Sequence, residues 1–161
     1  MAHRNLVLIF VAYHPSFEEI DKLLTCLSSL PDEIGYAVSV NDYRSGEAVD
    51  ELCAGADLFI RNKDNPGYGR AVNRVVSLLK DIPSYLAILN TDLTWNSGTF
   101  ETMLEWAEGH PHVSLMVPQI LDSSGQIQKL CKQNPTVLGL FSRRFVPEYF
   151  KPRWLKNYDQ W

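Results

Sequence analysis

Two stretches of the chain carry residue types and spacings suited to chemistry: Asn65-Pro66-Gly67-Tyr68-Gly69-Arg70-Ala71-Val72-Asn73 and, further along, Leu89-Asn90-Thr91-Asp92. A glycine-rich turn that feeds a helix presents backbone N–H groups to an anion. Gly67 and Gly69 let a pyrophosphate come close to the backbone, and Arg70 adds a fixed positive charge. An Asn-x-Asp at the end of an apolar strand supplies oxygen ligands to a hard cation, which for Asp92 means Mg²⁺ or Mn²⁺. Taken together, these residues point to a metal-bound nucleotide diphosphate. Each also has a plainer reading, an ordinary loop before a helix for the glycines and turn or helix capping for Asp92.

Other polar residues fall where apolar runs end. Tyr13 and His14 follow the first run, and Asn41-Asp42-Tyr43-Arg44-Ser45 follow the second. Either Asn41 or Asp42 could bond a base edge or a ribose hydroxyl, as acidic residues do after the second strand of nucleotide-binding sheets; both could equally be turn residues. His14, before Pro15, could titrate near neutrality, but a lone histidine is not assigned a catalytic role here. His3, His110 and His112 fit no ligand pattern, and Cys26, Cys53 and Cys131 lie far apart without CxxC spacing. That spacing argues against a zinc site or a disulfide framework and for reduced thiols.

The elements that would position these groups alternate. Asn5 to Tyr13 reads as a buried strand, and Ser16-Phe17-Glu18-Glu19 supplies a capping box for a helix with Phe17, Ile20, Leu23, Leu24 and Leu27 on one face. Tyr36 to Val40 is a second strand, residues 47–54 a short helix closed by Gly55, and Asp57 to Arg61 a third strand. A helix over Gly69 to Lys80 follows from the spacing of Ala71, Val72, Val75, Val76 and Leu79. Tyr85 to Leu89 is a fourth strand. Ser97 is expected to cap a helix carrying Phe100, Met103, Leu104 and Ala107, and Val113 to Val117 to form a fifth strand. Asp122-Ser123-Ser124-Gly125 reads as a hairpin turn.

Strands alternating with helices predict an α/β fold with a mostly parallel sheet, helices on both faces and right-handed crossovers. Ligands in such sheets sit at the carboxyl ends of the strands. A strand order of 3-2-1-4 would bring Tyr13 and Asp92 to the same crevice. The 161 residues, 45% hydrophobic and 21% charged, are enough for one sizeable core. The longest apolar run, Leu6 to Tyr13, is too short to span a membrane and reads as a buried strand in a cytoplasmic chain.

Charge is unevenly spread. Residues 1–128 hold 8 Lys/Arg against 17 Asp/Glu, whereas 129–161 hold 7 against 2. The first part is read as an α/β domain that binds the nucleotide diphosphate, the second as a basic, aromatic extension with Phe141, Phe145, Tyr149, Phe150, Trp154 and Trp161. That extension suits either an anionic membrane surface or lipid-phosphate, at the inner face of the plasma membrane, or simple solvation. The acidic bulk of the chain argues against nucleic acid. An uncovered sheet edge or apolar face would favour a homo-oligomer.

The order of these motifs resembles the family-2 nucleotide-sugar glycosyltransferases of the GT-A (Rossmann-like) fold, in particular the rhamnosyltransferase-like branch. Val11-Ala12-Tyr13-His14 resembles the end of that family's first strand, where Ala12 and Tyr13 would hold the base. Val40 to Ser45 is similar to its Val-Asp-Asn-x-Ser segment, with the acidic residue shifted by one. Asn65 to Asn73 matches an Asn-x-Gly-(aromatic)-Gly-x-(small)-x-Asn run, and Leu89 to Asp92 matches Leu-Asn-Pro-Asp with Thr91 in place of proline. Val117 to Asp122 and Gly125 to Gln128 resemble the segment that follows.

The resemblance implies an inverting, metal-dependent transfer of a sugar from a UDP-, dTDP- or GDP-linked donor to a saccharide or lipid-linked acceptor. Asp92 would bind Mg²⁺ or Mn²⁺, and Asn90 would orient the metal or the sugar. Asn65, Gly67, Tyr68, Gly69, Arg70 and Asn73 would hold diphosphate and sugar, and Tyr13 with Asp42 the nucleoside. Family members carry a second half with a Gly-Ala-x-Met-like strand and a Glu-Asp pair whose Asp is the general base. Trp161 precedes both, so the fold is expected to be incomplete at the C-terminus and the catalytic residue is unknown; Asp122 and Glu148 match no motif for that base. The alternatives are a nucleotide-sugar binding module without catalysis and, on a similar sheet, a nucleotidyltransferase. The latter is disfavoured by the lack of a Gly-rich, Lys/Arg-containing loop after the first strand.

Overall fold

A computed structural model of the chain describes residues 4–122, 124–128, 141 and 145. The chain divides into two compact units, Met1–His110 and Pro111–Trp161. In the first, strands β1 (Leu6–Ala12), β2 (Ile34–Val40), β3 (Leu58–Arg61) and β4 (Tyr85–Asn90) alternate with helices α1 (Phe17–Leu27), α2 (Val49–Ala54), α3 (Tyr68–Leu78) and α4 (Thr99–Gly109). The sheet order is β3-β2-β1-β4 with every pairing parallel, as the alternation of elements and the 3-2-1-4 order predict.

All of β1 is buried, because its side chains alternate between two cores. Leu6, Leu8, Phe10 and Ala12 pack with Ile20 and Leu23 of α1, Val49, Leu52 and Cys53 of α2, and Phe100 of α4. Val7, Ile9 and Val11 pack on the other face with Ala37 and with Ala71, Val72 and Val75 of α3. Helices thus cover both faces. In β4, Leu86 and Ile88 pair with Val7 and Ile9 yet stay exposed.

Local chemistry explains the helix starts. Ser16, in extended backbone, accepts the Glu19 N–H at 3.2 Å and caps α1. Ser97 does not cap α4; Gly98, with φ 83°, occupies the cap position, and its left-handed backbone swings the chain into the helix without a side-chain bond. Phe17, expected on the apolar face of α1, is 69% exposed; burial along the helix begins at Ile20. Gly55 follows α2 in ordinary right-handed backbone, and its lack of a side chain makes room for Tyr36: a Cβ there would lie 2.4 Å from the Tyr36 hydroxyl. That hydroxyl donates to the Leu52 carbonyl, and burial pushes its pKa up to about 12.

In the second unit, the strand expected at Val113 to Val117 is not formed. Leu115 and Val117 are exposed, and no ladder partner for the segment exists among the described residues; an extended segment without one is not a stable strand. The expected hairpin is present, with Leu121 bridged to Ile127 and Gly125 at φ 78°. Asp122 Oδ1 closes it by accepting from the N–H groups of Ser124 and Gln126 and from the Ser124 hydroxyl. Phe141 and Phe145 pack ring to ring at 4.8 Å. Cys131, Glu148, Tyr149, Phe150, Trp154, Trp161 and the rest of the 129–161 extension lie outside the described residues. No helix among the described residues is long and apolar enough to cross a membrane.

At the opposite end of the sheet from the strand C-termini, Arg4 and Asp57 form a 3.0 Å ion pair over Gly35. A Cβ on Gly35 would lie 2.1 Å from Asp57 Oδ2 and 2.9 Å from Arg4 Nε. Gly35→Ala is therefore expected to destabilise the chain by about 1–3 kcal/mol through overpacking. Urea unfolding checks this, and the loss should shrink when the same change is made on an Asp57→Ala background.

Candidate functional site

Parallel pairing delivers the carboxyl ends of β1, β2, β3 and β4 to one end of the sheet, and the loops that follow carry the polar residues. Ala12 pairs with Val40, and the Asn41 N–H donates to the Ala12 carbonyl at 2.8 Å. One step further along this register sets Tyr13 beside Asn41; two steps set His14 beside Asp42. The two pairs serve different places.

Tyr13 and Asn41 line a cleft of about 420 Å³, together with Asn65, Gly67, Tyr68, Asn90 and Asp92. Residues from three strand ends and the start of α3 thus converge as expected. Ala12, Asp42, Gly69, Arg70 and Asn73 are not among the lining residues. Ala12 is fully buried in the core, and Gly69, Arg70 and Asn73 are exposed on α3. Asp42 is engaged elsewhere: its Oδ2 accepts from His14 Nε2 and from Arg44 Nη2, each at 3.1 Å.

Val11, Glu19 and Thr91 also line the cleft, unforeseen from sequence. The buried Thr91 hydroxyl donates to the Glu19 carboxylate, tying α1 to the end of β4. Glu19 is the last residue of the capping box, and its carboxylate makes this long-range bond. The signal was Thr91 itself, standing where the similar motif has a proline that could donate nothing.

A chain of side-chain amides shapes one wall. Asn62, buried just after β3, donates from Nδ2 to Ser39 Oγ (2.9 Å), the Val40 carbonyl (3.2 Å) and Asn41 Oδ1 (3.1 Å), and its Oδ1 accepts from Arg74 of α3. Asn41 Nδ2 donates to Asn65 Oδ1, which also accepts the Gly67 N–H. Gly67 has φ 85°, a backbone that suits glycine, and leads directly into α3. Asn62 is not singled out from sequence, since nothing in its neighbours marks it as buried.

Electrostatics in the cleft follow from Asp92. Burial raises the Tyr68 hydroxyl pKa, and the negative charge of Asp92 adds to that rise, so the two groups share one field. Among the described residues no group of three or more His, Cys, Asp or Glu could hold a metal ion. The cleft instead offers hard oxygens from the exposed Asp92 and Asn90 at the end of β4. That sparse set suits Mg²⁺ or Mn²⁺, which are held by one or two carboxylates plus phosphate oxygens and water rather than by a protein cage.

Beside the cleft, His14 Nδ1 stands 2.7 Å from Glu47 Oε1. Hydrogen bonding to Asp42, then to Glu47, raises the His14 pKa above 6.5, and the bond from His14 in turn holds Asp42 below 3.8. His14 and Asp42 have φ values of 47° and 50°, the left-handed region, at a strain of about 1 kcal/mol or more per residue.

No family model matches the chain. It is 26% identical, over 164 aligned residues, to N-acetylglucosaminyl-diphospho-decaprenol L-rhamnosyltransferase of Mycobacterium tuberculosis, in strains CDC 1551 / Oshkosh and ATCC 25618 / H37Rv alike. The match takes in 94% of this chain and 52% of each relative, so the chain spans about half the length of the curated relatives it matches. Among solved structures it is similar to the mannosyltransferase PcManGT from Pyrobaculum calidifontis in complex with GDP-Man and Mn²⁺ (TM-score 0.52, 18% identity, 66% of this chain and 33% of that one). It is similar also to S. aureus TarS 1-349 (TM-score 0.52, 16% identity, 71% and 38%). The fold is that of the GT-A glycosyltransferases, as the motif order implied.

Asn62→Leu is expected to cost about 2–4 kcal/mol, because it strands the buried partners Ser39 and Asn41 and removes an acceptor of the exposed Arg74. A lowered urea midpoint with an unchanged slope is the signature to look for.

Proposed function

We propose that this chain is the donor-binding part of an inverting, metal-dependent glycosyltransferase that uses a nucleotide-diphosphate sugar. The observation that carries the reading is the convergence of Tyr13, Asn41, Asn65, Gly67, Tyr68, Asn90 and Asp92 on one cleft at the carboxyl end of a parallel sheet. The fold shared with sugar transferases and the curated rhamnosyltransferase relatives support it.

In this reading Tyr13 and Asn41 hold the nucleoside, with Asp42 behind them fixing the loop. Gly67 and the first turn of α3, whose N–H groups have no intrahelical acceptor, face the diphosphate. Arg70 and Asn73, exposed on α3, and Gly69 serve the phosphate and sugar side. Asp92 and Asn90 would hold Mg²⁺ or Mn²⁺. The cation supplies charge neutralisation at the leaving diphosphate. Tyr68, a phenol protonated at neutral pH, offers a hydroxyl donor in the field of Asp92.

The acceptor is a saccharide or a lipid-linked sugar. The relative that acts on a decaprenol-linked diphosphate and the basic, aromatic 129–161 segment both support a lipid-linked one at the cytoplasmic membrane face. No residue of the chain is assigned as the general base that inversion requires.

Thermal unfolding with UDP, dTDP or GDP, each with and without Mn²⁺ or Mg²⁺, tests the site. One nucleotide at ~100 times its dissociation constant should add about 2.7 kcal/mol, and only with metal present. Asp92→Asn should abolish the metal-dependent part. No shift with any nucleotide, from a chain shown to be folded, overturns the reading. Turnover of the matching nucleotide sugar distinguishes a transferase from a binding module.

A further inference from the structure

We propose that His14 is a positioning residue of the donor site: as an imidazolium it bridges Asp42 and Glu47, and the bridge holds Tyr13 and Asn41 in place on the nucleoside side of the cleft. The inference rests on the donor-site reading above.

The geometry calls for the cation. Nδ1 lies 2.7 Å from Glu47 Oε1 and Nε2 lies 3.1 Å from Asp42 Oδ2. A neutral imidazole has one N–H and one lone pair, so between two carboxylates one nitrogen would set its lone pair against an oxygen. Only the doubly protonated ring donates to both. Each carboxylate is also held by a second donor: Arg44 Nη2 reaches Asp42 Oδ2 at 3.1 Å, and the Arg44 N–H reaches Glu47 Oε2 at 3.4 Å.

The charged groups facing the ring are Asp42, Glu47 and Arg44, and the Tyr13 ring lies against it at 4.5 Å. Two carboxylates against one guanidinium favour the charged ring, and hydrogen bonding raises its pKa despite desolvation and Arg44.

The bridge is placed where the backbone needs holding. Among the described residues His14 and Asp42 are the non-glycine residues in left-handed backbone, and they directly follow Tyr13 and Asn41. A ring that loses its proton gives up one of the two bonds that keep these turns shut. The sign follows from the direction of the shift. A raised histidine pKa means that the bridge is intact below the ordinary value of 6.5 and is lost as pH rises through the raised one. At the acid end it is lost as pH falls through the depressed pKa of Asp42.

The test pairs two readouts on the full chain. NMR of the His14 ring, without nucleotide, gives its pKa in the wild type and in Glu47→Gln, which keeps an acceptor but removes a charge. Calorimetry then measures binding of UDP-glucose, dTDP-glucose and GDP-mannose with Mn²⁺ over about pH 5.5 to 8.5, a range in which their diphosphate diesters do not titrate.

Support is a His14 pKa above 6.5 and an affinity that falls about tenfold as His14 titrates, matching a one-unit rise in its pKa on binding. The fall should move to lower pH in Glu47→Gln. In His14→Gln, shown to be folded by its thermal transition, binding should stay at the weak high-pH level throughout. A His14 pKa at or below 6.5, binding independent of pH, or affinity that rises as His14 deprotonates overturns the proposal and leaves the donor site standing. Absence of binding by all three probes at every pH overturns the donor-site reading itself, and the positioning role with it.

Discussion

Burial of β1 on both faces is the constraint from which the rest of the molecule follows. Leu6 to Ala12 has no polar side to turn to water, so it must sit inside the sheet with helices above and below. Each of its larger side chains is worth roughly 1.5–3 kcal/mol when removed from water, more than the net ~0.5–1.5 kcal/mol of a neutral hydrogen bond, and β1 buries several at once. Central placement with parallel neighbours then forces crossover helices, and crossovers return every strand in the same direction. The loops that carry Tyr13, Asn41, Asn65 and Asp92 meet at one end for that reason.

Packing brings the loops together, and side-chain amides set their spacing. Loops on a sheet end are ordinarily the mobile part of a fold. Here Asn62, Asn41 and Asn65 form a continuous path of hydrogen bonds from the end of β2 to the residue that opens α3. Amides suit the task because each offers donors and an acceptor without charge, so the path adds no charge to the cleft, as the donor proposed above would require. Glu19 and Thr91 make the corresponding tie between α1 and β4 on the other side.

The sequence made the elements legible wherever period and burial agreed. The continuous apolar run of β1, the spacing of Ala71, Val72 and Val75 and the capping Ser16 all describe local facts that tertiary packing reinforces. Val113 to Val117 has the composition of a strand, yet a strand is a property of a pair, and composition does not supply the partner. Ser97 is a good capping residue displaced by a glycine that turns the chain more sharply. At the site, residue types and spacing pointed to the cleft, whereas Glu19, Asn62 and the His14 contacts were hidden. Each of these acts through a partner 20 or more residues away, as in the 72-residue separation of Thr91 and Glu19, and one sequence carries no record of such pairings.

The choice between Asn41 and Asp42, open from sequence, turns on the geometry of a strand end. Both dipeptides follow the ends of their strands, and the left-handed backbone at His14 and Asp42 lets the two residues of each pair serve different places. Tyr13 and Asn41 turn to the cleft; His14 and Asp42 turn to each other. Had Asp42 faced inward, its carboxylate would have joined those of Asp92 and Glu19 in the cleft, and such a concentration of like charge would oppose the diphosphate of the proposed donor. Turned outward, the same carboxylate meets His14 and Arg44, where its charge holds the loop. The shift of the acidic residue by one position thus exchanges a carboxylate for an amide in the cleft and puts the displaced charge to structural use behind it.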